Sequence, residues 1–276
     1  MEKQYGKDKE GHSTVTDRGK ENVVIGVRPV TEALRAGGRS FTQIYIQKGR
    51  TETGLKELIT LARANNVRMT HASREVIDQL AGTLKHQGVV GLGAVKKLDS
   101  LDEVLAHAAR KGEAPFLFLL DEIEDPRNLG AILRTAEGAG VHGVIIPTRR
   151  AAGLTETVAK TSAGAIEYVR IVQVVNLVQT MERLKEDNIW VYGLDGTSDD
   201  SYFDHDFRGP IAFVLGGEGK GLRPLVADTC DVKVSIPMRG RISSLNVSNA
   251  AAVIGYETVR QRLQKGSSKL KAGGSK

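Results

Sequence analysis

Cysteine is nearly absent from this sequence of 276 residues, and long apolar runs are absent altogether. The single cysteine, Cys230, excludes a disulfide within the chain and a cysteine-rich zinc site. No group of His, Asp and Glu has metal-ligand spacing, so the sequence predicts no bound metal. So little cysteine is typical of a protein from a reducing compartment, which predicts the cytoplasm.

The missing apolar runs exclude a membrane-spanning protein. The longest apolar stretch, Phe116–Leu120, is far shorter than the roughly 20 residues that a spanning helix needs. The first residues contain no apolar core, so we expect no signal peptide. Hydrophobic residues still make up 40% of the chain, which is enough for the cores of two domains.

Positive charge is concentrated in part of the chain. Residues 23–97 contain twelve basic and five acidic side chains, whereas residues 114–259 contain fourteen basic and nineteen acidic ones. Residues 260–276 contain six basic side chains and no acidic one. Ordinary solvated charge is one explanation. The other is a division of labour, in which the first module holds a polyanion and the second does something else.

Alternating apolar strands and amphipathic helices predict an α/β fold in both modules. The predicted organisation is a disordered tail at 1–21, a small α/β module at 22–97, an acidic linker helix at 98–113, a larger α/β module at 114–265 and a loose basic tail at 266–276. In the larger module, strands are predicted at 116–120, 143–147, 169–173, 189–194, 211–215 and 232–236, and helices at 129–139, 155–163, 176–187, 221–228 and 247–263.

His86-Gln87-Gly88 precedes the last strand of the small module. An imidazole and an amide beside a glycine can approach a phosphate or a base edge closely. A plain turn with an exposed His86 is the alternative. Arg28 is one of the basic residues of this module that could contact a polyanion.

The first of three motifs in the larger module runs from Asp121 to Ala136. A strand ends, an acidic loop follows, and Asn128 is predicted to open a helix. Asn128 could be a simple N-cap, because its short side chain can accept a free backbone N–H. Arg134 could simply pair with Glu137 on the helix surface.

The second motif, Phe213–Leu222, is a buried strand that runs into a glycine-rich loop containing Gly216 and Glu218. The loop lacks the spacing of a Walker phosphate loop, and no Rossmann glycine pattern opens a βαβ unit. Glycines that let backbone amides approach a ligand are the best physical interpretation.

The third motif, Ile236–Asn249, follows a short apolar strand. Pro237 should end that strand, because proline cannot donate a ladder hydrogen bond. A polar loop with two arginines and two serines leads into an alanine-rich helix. Ser244 or Asn246 can cap the N-terminus of that helix.

These motifs, in this order, resemble the SpoU family of RNA ribose 2'-O-methyltransferases, and the resemblance covers roughly residues 22–264. The most specific pattern is Asp-x-x-x-Asp-Pro-x-Asn-x-Gly-x-x-x-Arg-x-Ala, which begins at Asp121. The resemblance implies a C-terminal α/β domain tied into a trefoil knot, and a homodimer with its site near the interface. It also implies that the N-terminal module is an RNA-binding domain.

The resemblance further implies the site residues. Asn128, Arg134, Glu218, Ser244 and Asn246 would be catalytic, and the backbone at Gly216, Ile236 and Leu245 would contact S-adenosylmethionine. In the N-terminal module it implies that His86 and Gln87 contact RNA, and the positive charge of that module makes Arg28 a further candidate.

The function that the resemblance implies is S-adenosylmethionine-dependent 2'-O-methylation of a ribose, with a guanosine of 23S ribosomal RNA favoured. A tRNA methyltransferase of the same family and a non-catalytic RNA-binding ribosome assembly factor stay open as alternatives.

Overall fold

A computed structural model of the chain describes residues 23–37, 39, 41–50, 54–93, 96, 98–219 and 221–271. The predicted tail at 1–21 and the last residues of the predicted basic tail lie outside the described residues. The described chain forms two sheets, each covered by helices on both faces.

The N-terminal module is built on a four-stranded sheet with the strand order β1-β4-β2-β3. Its elements are β1 (Val23–Ile25), α1 (Val27–Ala36), β2 (Phe41–Gln47), α2 (Lys56–Ala64), β3 (Arg68–Ala72), α3 (Arg74–Ala81) and β4 (Val89–Gly93). Strands β2 and β3 are parallel, and β4 runs antiparallel to both β1 and β2. Helices α1 and α2 pack on one face and α3 packs on the other, which confirms the predicted α/β arrangement.

The C-terminal module is built on a six-stranded sheet with the order β10-β8-β9-β5-β6-β7, and every pairing in it is parallel. Its elements are α4 (Leu101–Lys111), β5 (Phe116–Asp121), α5 (Pro126–Gly138), β6 (Gly143–Pro147), α6 (Glu156–Thr161), β7 (Ile171–Val174), α7 (Leu177–Glu186), β8 (Trp190–Leu194), β9 (Ile211–Gly216), α8 (Pro224–Thr229), β10 (Val232–Val234) and α9 (Val247–Lys271).

Strand β5 shows why this sheet is covered on both sides. Phe116 and Phe118 pack into the core beneath α5 and α9, whereas Leu117 and Leu119 pack beneath α4 and α7. Neighbouring side chains of a strand point to opposite faces, so a continuous apolar run needs two apolar layers. In a parallel sheet all carboxyl ends lie at one edge, and ligands bind in the crevice outside that edge.

The acidic segment predicted as a linker forms helix α4 and packs on the second sheet. Ser100 Oγ accepts a hydrogen bond from the backbone N–H of Glu103 at 3.2 Å, and the Glu103 carboxylate accepts one from the Ser100 N–H at 2.7 Å. Val104 is completely buried and lies against Gly143. The apolar face of α4 is therefore part of the C-terminal core.

Helix α5 begins at Pro126, whereas the sequence predicts a start at Leu129. Asp125 caps it, and its Oδ1 accepts a hydrogen bond from the Arg127 N–H at 2.8 Å. Proline is well suited to the first turn because it has no N–H to satisfy. Asn128 is therefore not the N-cap, and its side chain is available for contacts outside the helix.

Helix α9 also differs from the sequence prediction. It continues to Lys271, well past the predicted end at Leu263 and into the segment predicted as a loose tail. The expected end at Leu263 rested on composition, and a single glycine, Gly266, does not interrupt the helix.

Polar contacts, most of them buried, join the two modules. Arg39 Nε lies 3.0 Å from Glu167 Oε2, with both side chains buried, and Tyr168 Oη donates to Glu32 Oε2 at 2.5 Å. Lys96 Nζ donates to the carbonyl oxygens of Ile166 and Val169, the latter at 2.6 Å. Burial lowers the pKa of Lys96 to about 8.

Candidate functional site

A cavity of about 520 Å³ opens at the carboxyl edge of the six-stranded sheet. Three adjacent strands and the loops that follow them form its walls: residues 194–197 from β8 and its loop, 215–219 and 221 from β9 and its loop, and 236, 238 and 243–247 from the loop after β10 and the start of α9. Leu215, Val234 and Ile236 supply apolar surface. The cavity thus lies in the position that the parallel topology predicts for a ligand.

Three polar side chains from separate segments meet beside this cavity. Glu218 Oε1 accepts hydrogen bonds from Asn128 Nδ2 at 2.7 Å and from Asn246 Nδ2 at 2.6 Å. The two amides also contact each other, with Asn246 Nδ2 at 3.1 Å from Asn128 Oδ1. Asn128 and Asn246 lie 90 and 28 residues from Glu218 in the chain, so only folding of the sheet brings the three side chains together.

One carboxylate oxygen of this cluster is left for an outside donor. Oε1 of Glu218 receives both amide donors, and no donor from the described residues contacts Oε2. A carboxylate oxygen without a donor beside a cavity can accept a hydrogen bond from a hydroxyl group of a ligand.

Asn246 also caps helix α9, as the sequence predicted for it or for Ser244. Its Oδ1 accepts from the Ser248 N–H at 2.9 Å and from Ser248 Oγ at 2.6 Å. The cap orients the amide so that its Nδ2 faces Glu218. Ser244 lines the cavity with an exposed side chain and takes no part in the cap.

The glycines of the β9 loop serve close packing within the protein. A Cβ atom at Gly216 would lie 2.3 Å from the carbonyl carbon of Gly221, and one at Gly217 would lie 2.6 Å from the Glu122 carbonyl oxygen. The sequence interpretation assigned these glycines to close approach of a ligand. Both glycines also line the cavity, so they allow close packing of this loop against itself and the β5 loop, and approach of a ligand to their backbone stays a prediction.

A buried ion pair fixes the far side of the same loop. Asp121 is fully buried at the end of β5, and its carboxylate accepts from Arg223 Nε at 2.7 Å and from the Arg223 backbone N–H at 2.9 Å. Arg223 is the N-cap residue of α8. This contact joins the β5 loop to the β9 loop and so fixes the position of the cluster relative to the cavity.

Arg134 lies outside the cavity. It is exposed on α5, and no ion pair with Glu137 forms, so the predicted surface pairing is wrong among the described residues. Six residues separate it from Asn128, which places it about 9 Å further along the helix and on another side of it. Arg134 therefore does not point at the Glu218 cluster of its own chain.

The residues predicted to contact RNA in the N-terminal module fall into two groups. Arg28 and Gln87 are exposed, and Gln87 Oε1 accepts from the Val27 N–H at 3.3 Å. His86 is buried, with Nε2 at 2.6 Å from Asp78 Oδ1 and Nδ1 accepting from the Gly88 N–H. Its placement favours holding the loop rather than direct contact, and the alternative of an exposed His86 is wrong.

Sequence reasoning missed part of the cavity wall. Asp195, Gly196 and Thr197 form a turn after β8 in which Asp195 Oδ1 accepts from the Thr197 N–H and hydroxyl. The signal was available, because β8 was predicted to end at Leu194 and parallel strands end at one edge. Met238 was inside the third motif but was not assigned to the cavity.

The residues that line the cavity suit an organic ligand with both polar and apolar parts. Gly216 and Leu245, together with apolar side chains, line a volume within the usual range for small-molecule sites. Within the described part of the chain, no cluster of three His, Cys, Asp or Glu residues could hold a metal ion. Burial raises the pKa of the Cys230 thiol to about 12, so Cys230 is not a ready nucleophile.

The described residues contain no helix with the length and hydropathy that crossing a bilayer requires.

Two family models match this chain. The model described as the SpoU rRNA Methylase family matches residues 115–256, and the model described as RNA 2'-O ribose methyltransferase substrate binding matches residues 23–94. The two matches coincide with the two sheets of the structure.

Curated relatives match along nearly their whole length. The 23S rRNA (guanosine-2'-O-)-methyltransferase RlmB of Shewanella oneidensis is 41% identical over 246 residues, covering 88% of this chain and 98% of the relative. RlmB of Escherichia coli is 38% identical over 243 residues, covering 87% and 98%.

Solved structures share the fold. The SpoU methyltransferase AviRb from Streptomyces viridochromogenes, in complex with the cofactor AdoMet, superimposes with a TM-score of 0.75 and 29% identity. The superposition covers 92% of this chain and 95% of AviRb. Both modules are therefore shared with a protein whose crystal structure contains the methyl donor.

Proposed function

This chain belongs to the SpoU rRNA methylase family, and on that premise we propose that it transfers a methyl group from S-adenosylmethionine to the ribose 2'-oxygen of a guanosine in 23S ribosomal RNA. The observation that carries the proposal is the Asn128–Glu218–Asn246 cluster beside a cavity at the carboxyl edge of the sheet. The names of the relatives supply the RNA class and the nucleoside.

The cavity is the proposed site for S-adenosylmethionine. The backbone at Gly216, Ile236 and Leu245 would bind it, and all three residues line the cavity. When bound, S-adenosylmethionine supplies an activated methyl group on a sulfonium, so no metal is needed to activate it. The described residues then have two tasks, to position the ribose hydroxyl and to assist removal of its proton.

The cluster is suited to both tasks. We propose that Glu218 Oε2 accepts the hydrogen bond of the 2'-hydroxyl, while Asn128 and Asn246 hold the carboxylate in place through Oε1. Ser244, exposed on the cavity wall, would donate to the ribose or its phosphate. These contacts would orient the hydroxyl oxygen toward the methyl group, and the Glu218 carboxylate would take the hydroxyl proton that is lost when the oxygen is methylated.

Arg134 has a different proposed role. A guanidinium stays protonated in proteins and is therefore a poor free base. Its exposed position on α5 suits a bidentate contact with a phosphate next to the target ribose. We also propose that the chain forms a homodimer, in which the exposed face of α5 presents Arg134 to the partner's site. The proposal includes a trefoil knot in the C-terminal module.

The N-terminal module would hold the RNA. Its net positive charge, with Arg28 and Gln87 on its surface, supports this assignment. Two of its arginines act differently, since Arg39 is buried against Glu167 and Arg35 pairs with Glu32 and Glu57. An enzyme that modifies ribosomal RNA would work in the cytoplasm.

Transfer of labelled methyl groups to isolated RNA tests the proposal. The protein is incubated with tritium-labelled S-adenosylmethionine and, separately, with 23S rRNA and bulk tRNA. We expect label in one fragment of 23S rRNA and none in tRNA. Label only in tRNA would point to a tRNA methyltransferase, and RNA binding without label in either would point to an assembly factor.

A further inference from the structure

The loop between β10 and α9 projects from the mouth of the cavity. Met238 and Ser243 line the cavity at the two ends of this projection. Between them, Arg239, Gly240 and Arg241 are exposed, and 74% of Ile242 is accessible to solvent. A surface of this kind, with two cations and an apolar residue at a ligand-binding edge, is available to a second ligand.

The two arginines lack partners within the described protein. No hydrogen bond or ion pair joins Arg239 or Arg241 to any described residue. Two acidic side chains in the segment after β8 have other partners. Asp195 binds Thr197, and Asp200 lies 3.0 Å from His205 Nε2. Each guanidinium thus keeps all five of its N–H donors.

Other arginines at this edge behave differently. Arg223 binds Asp121, and Arg150 Nη1 donates to Glu122 Oε1 at 2.9 Å. Those two arginines stabilise the loops after β5 and β6. Arg239 and Arg241 have no such structural role, so their charge is free for an anion outside the protein.

We propose that Arg239 and Arg241 bind the two RNA phosphates that flank the ribose positioned at the cavity. Two residues of extended chain span at most about 7 Å, which is on the scale of one nucleotide step. Arginine binds phosphate in a bidentate manner, so each guanidinium fixes the direction of the strand as well as its distance. Ile242 offers apolar surface to the base of the unstacked nucleotide.

This proposal rests on the proposed function and changes one expectation drawn from charge. The net negative charge of residues 114–259 suggested that the C-terminal module gains little from attraction to phosphate. The negative side chains that line the cavity, Asp195 and Glu218, lie on the loops after β8 and β9, whereas this arginine loop follows β10. The charge is segregated by loop, and an RNA strand would be drawn to the β10 side of the mouth.

The test compares RNA binding by the full chain and by two doubly substituted variants. Arg239→Gln with Arg241→Gln removes the two cations of the loop. The matched control, Arg110→Gln with Lys111→Gln, removes two exposed cations at the end of α4, which lies at the opposite edge of the sheet because β5 begins just after it. Affinity for a 23S rRNA fragment is measured over a series of salt concentrations.

We expect the loop variant to reduce the slope of log affinity against log salt by about 1.5, because each phosphate contact contributes about 0.7 to 0.9. The KM for RNA should rise at least tenfold, the Kd for S-adenosylmethionine should stay unchanged, and the control should keep the slope of the full chain. The charge-preserving pair Arg239→Lys with Arg241→Lys should retain most of the slope.

Three results would overturn the proposal. An unchanged slope with weaker S-adenosylmethionine binding would mean that the arginines serve the donor. An unchanged slope, together with a loop variant that sediments at half the mass of the unsubstituted protein, would mean that the arginines bind a second copy of the chain. An equal loss in the control would mean that only bulk charge matters. If the full chain transferred no methyl group but the slope still fell only in the loop variant, the phosphate contacts would stand and the proposed function would fail.

Discussion

At the scale of single residues, the site depends on side chains that serve structure and chemistry at once. Asn246 caps α9 through Oδ1 and donates to Glu218 through Nδ2. Asp121 is buried with no chemical role, yet its contact with Arg223 holds the loop that contains Glu218. Substitution of such residues changes stability and activity together unless the replacement separates the two roles.

Asn246 allows that separation. Asn246→Ser keeps an oxygen that can cap α9 but removes the donor to Glu218, whereas Asn246→Ala removes both. We expect both variants to lose most methyl transfer, and only Asn246→Ala to lose about 1 kcal/mol of unfolding free energy. Denaturant unfolding and labelled methyl transfer measure the two effects. Full activity of Asn246→Ser would show that the amide donor has no part in the reaction.

At the scale of elements, the sequence predicted strands better than helix ends. Each apolar run that becomes a strand of the six-stranded sheet was located to within a few residues, because buried parallel strands leave a continuous apolar pattern. The start of α5 was misplaced, since Asp125 and Asn128 are both good caps and only the fold selects between them. The Asn128–Glu218 contact joins residues far apart in the chain, which periodicity cannot reveal.

The β9 loop leads to a prediction about backbone packing. Gly216→Ala places a methyl group where Gly221 already lies, so the loop must shift and the cavity wall with it. We expect the Kd for S-adenosylmethionine to rise at least tenfold, measured by calorimetry. Gly209→Ala is the matched control, because no atom lies within 4 Å of its added Cβ. Equal donor affinity of Gly216→Ala and the full chain would contradict this account of the loop.

At the scale of the whole molecule, buried charge connects the N-terminal and C-terminal modules. Arg39 and Lys96 belong to the basic stretch 23–97, yet the structure buries both side chains at a junction that also contains Glu167. The sequence could not predict this, since Arg39 and Glu167 lie 128 residues apart. The positive charge of the N-terminal module is therefore divided between the junction and the surface that remains for RNA.

Lys96 makes the stability of this junction depend on pH. Burial lowers its folded-state pKa to about 8, below the value of about 10.4 in an unfolded chain. Between these values the unfolded state binds more protons, so the unfolding free energy rises with pH. We expect the full chain to gain stability relative to Lys96→Met as pH rises from about 8 to about 10. The neutral amine still has two N–H groups for the two carbonyl oxygens. A stability difference that stays constant with pH would contradict the lowered pKa.

The central claim, methylation of a ribose oxygen in 23S rRNA, is tested most directly by alkaline hydrolysis of the labelled RNA. Alkali cleaves RNA through a free 2'-hydroxyl, so a methylated ribose leaves an uncleaved dinucleotide. We predict that tritium from S-adenosylmethionine appears in one alkali-resistant dinucleotide with guanosine on its 5' side, and that Glu218→Gln abolishes it. Label recovered in mononucleotides would place the methyl group on a base and contradict the account.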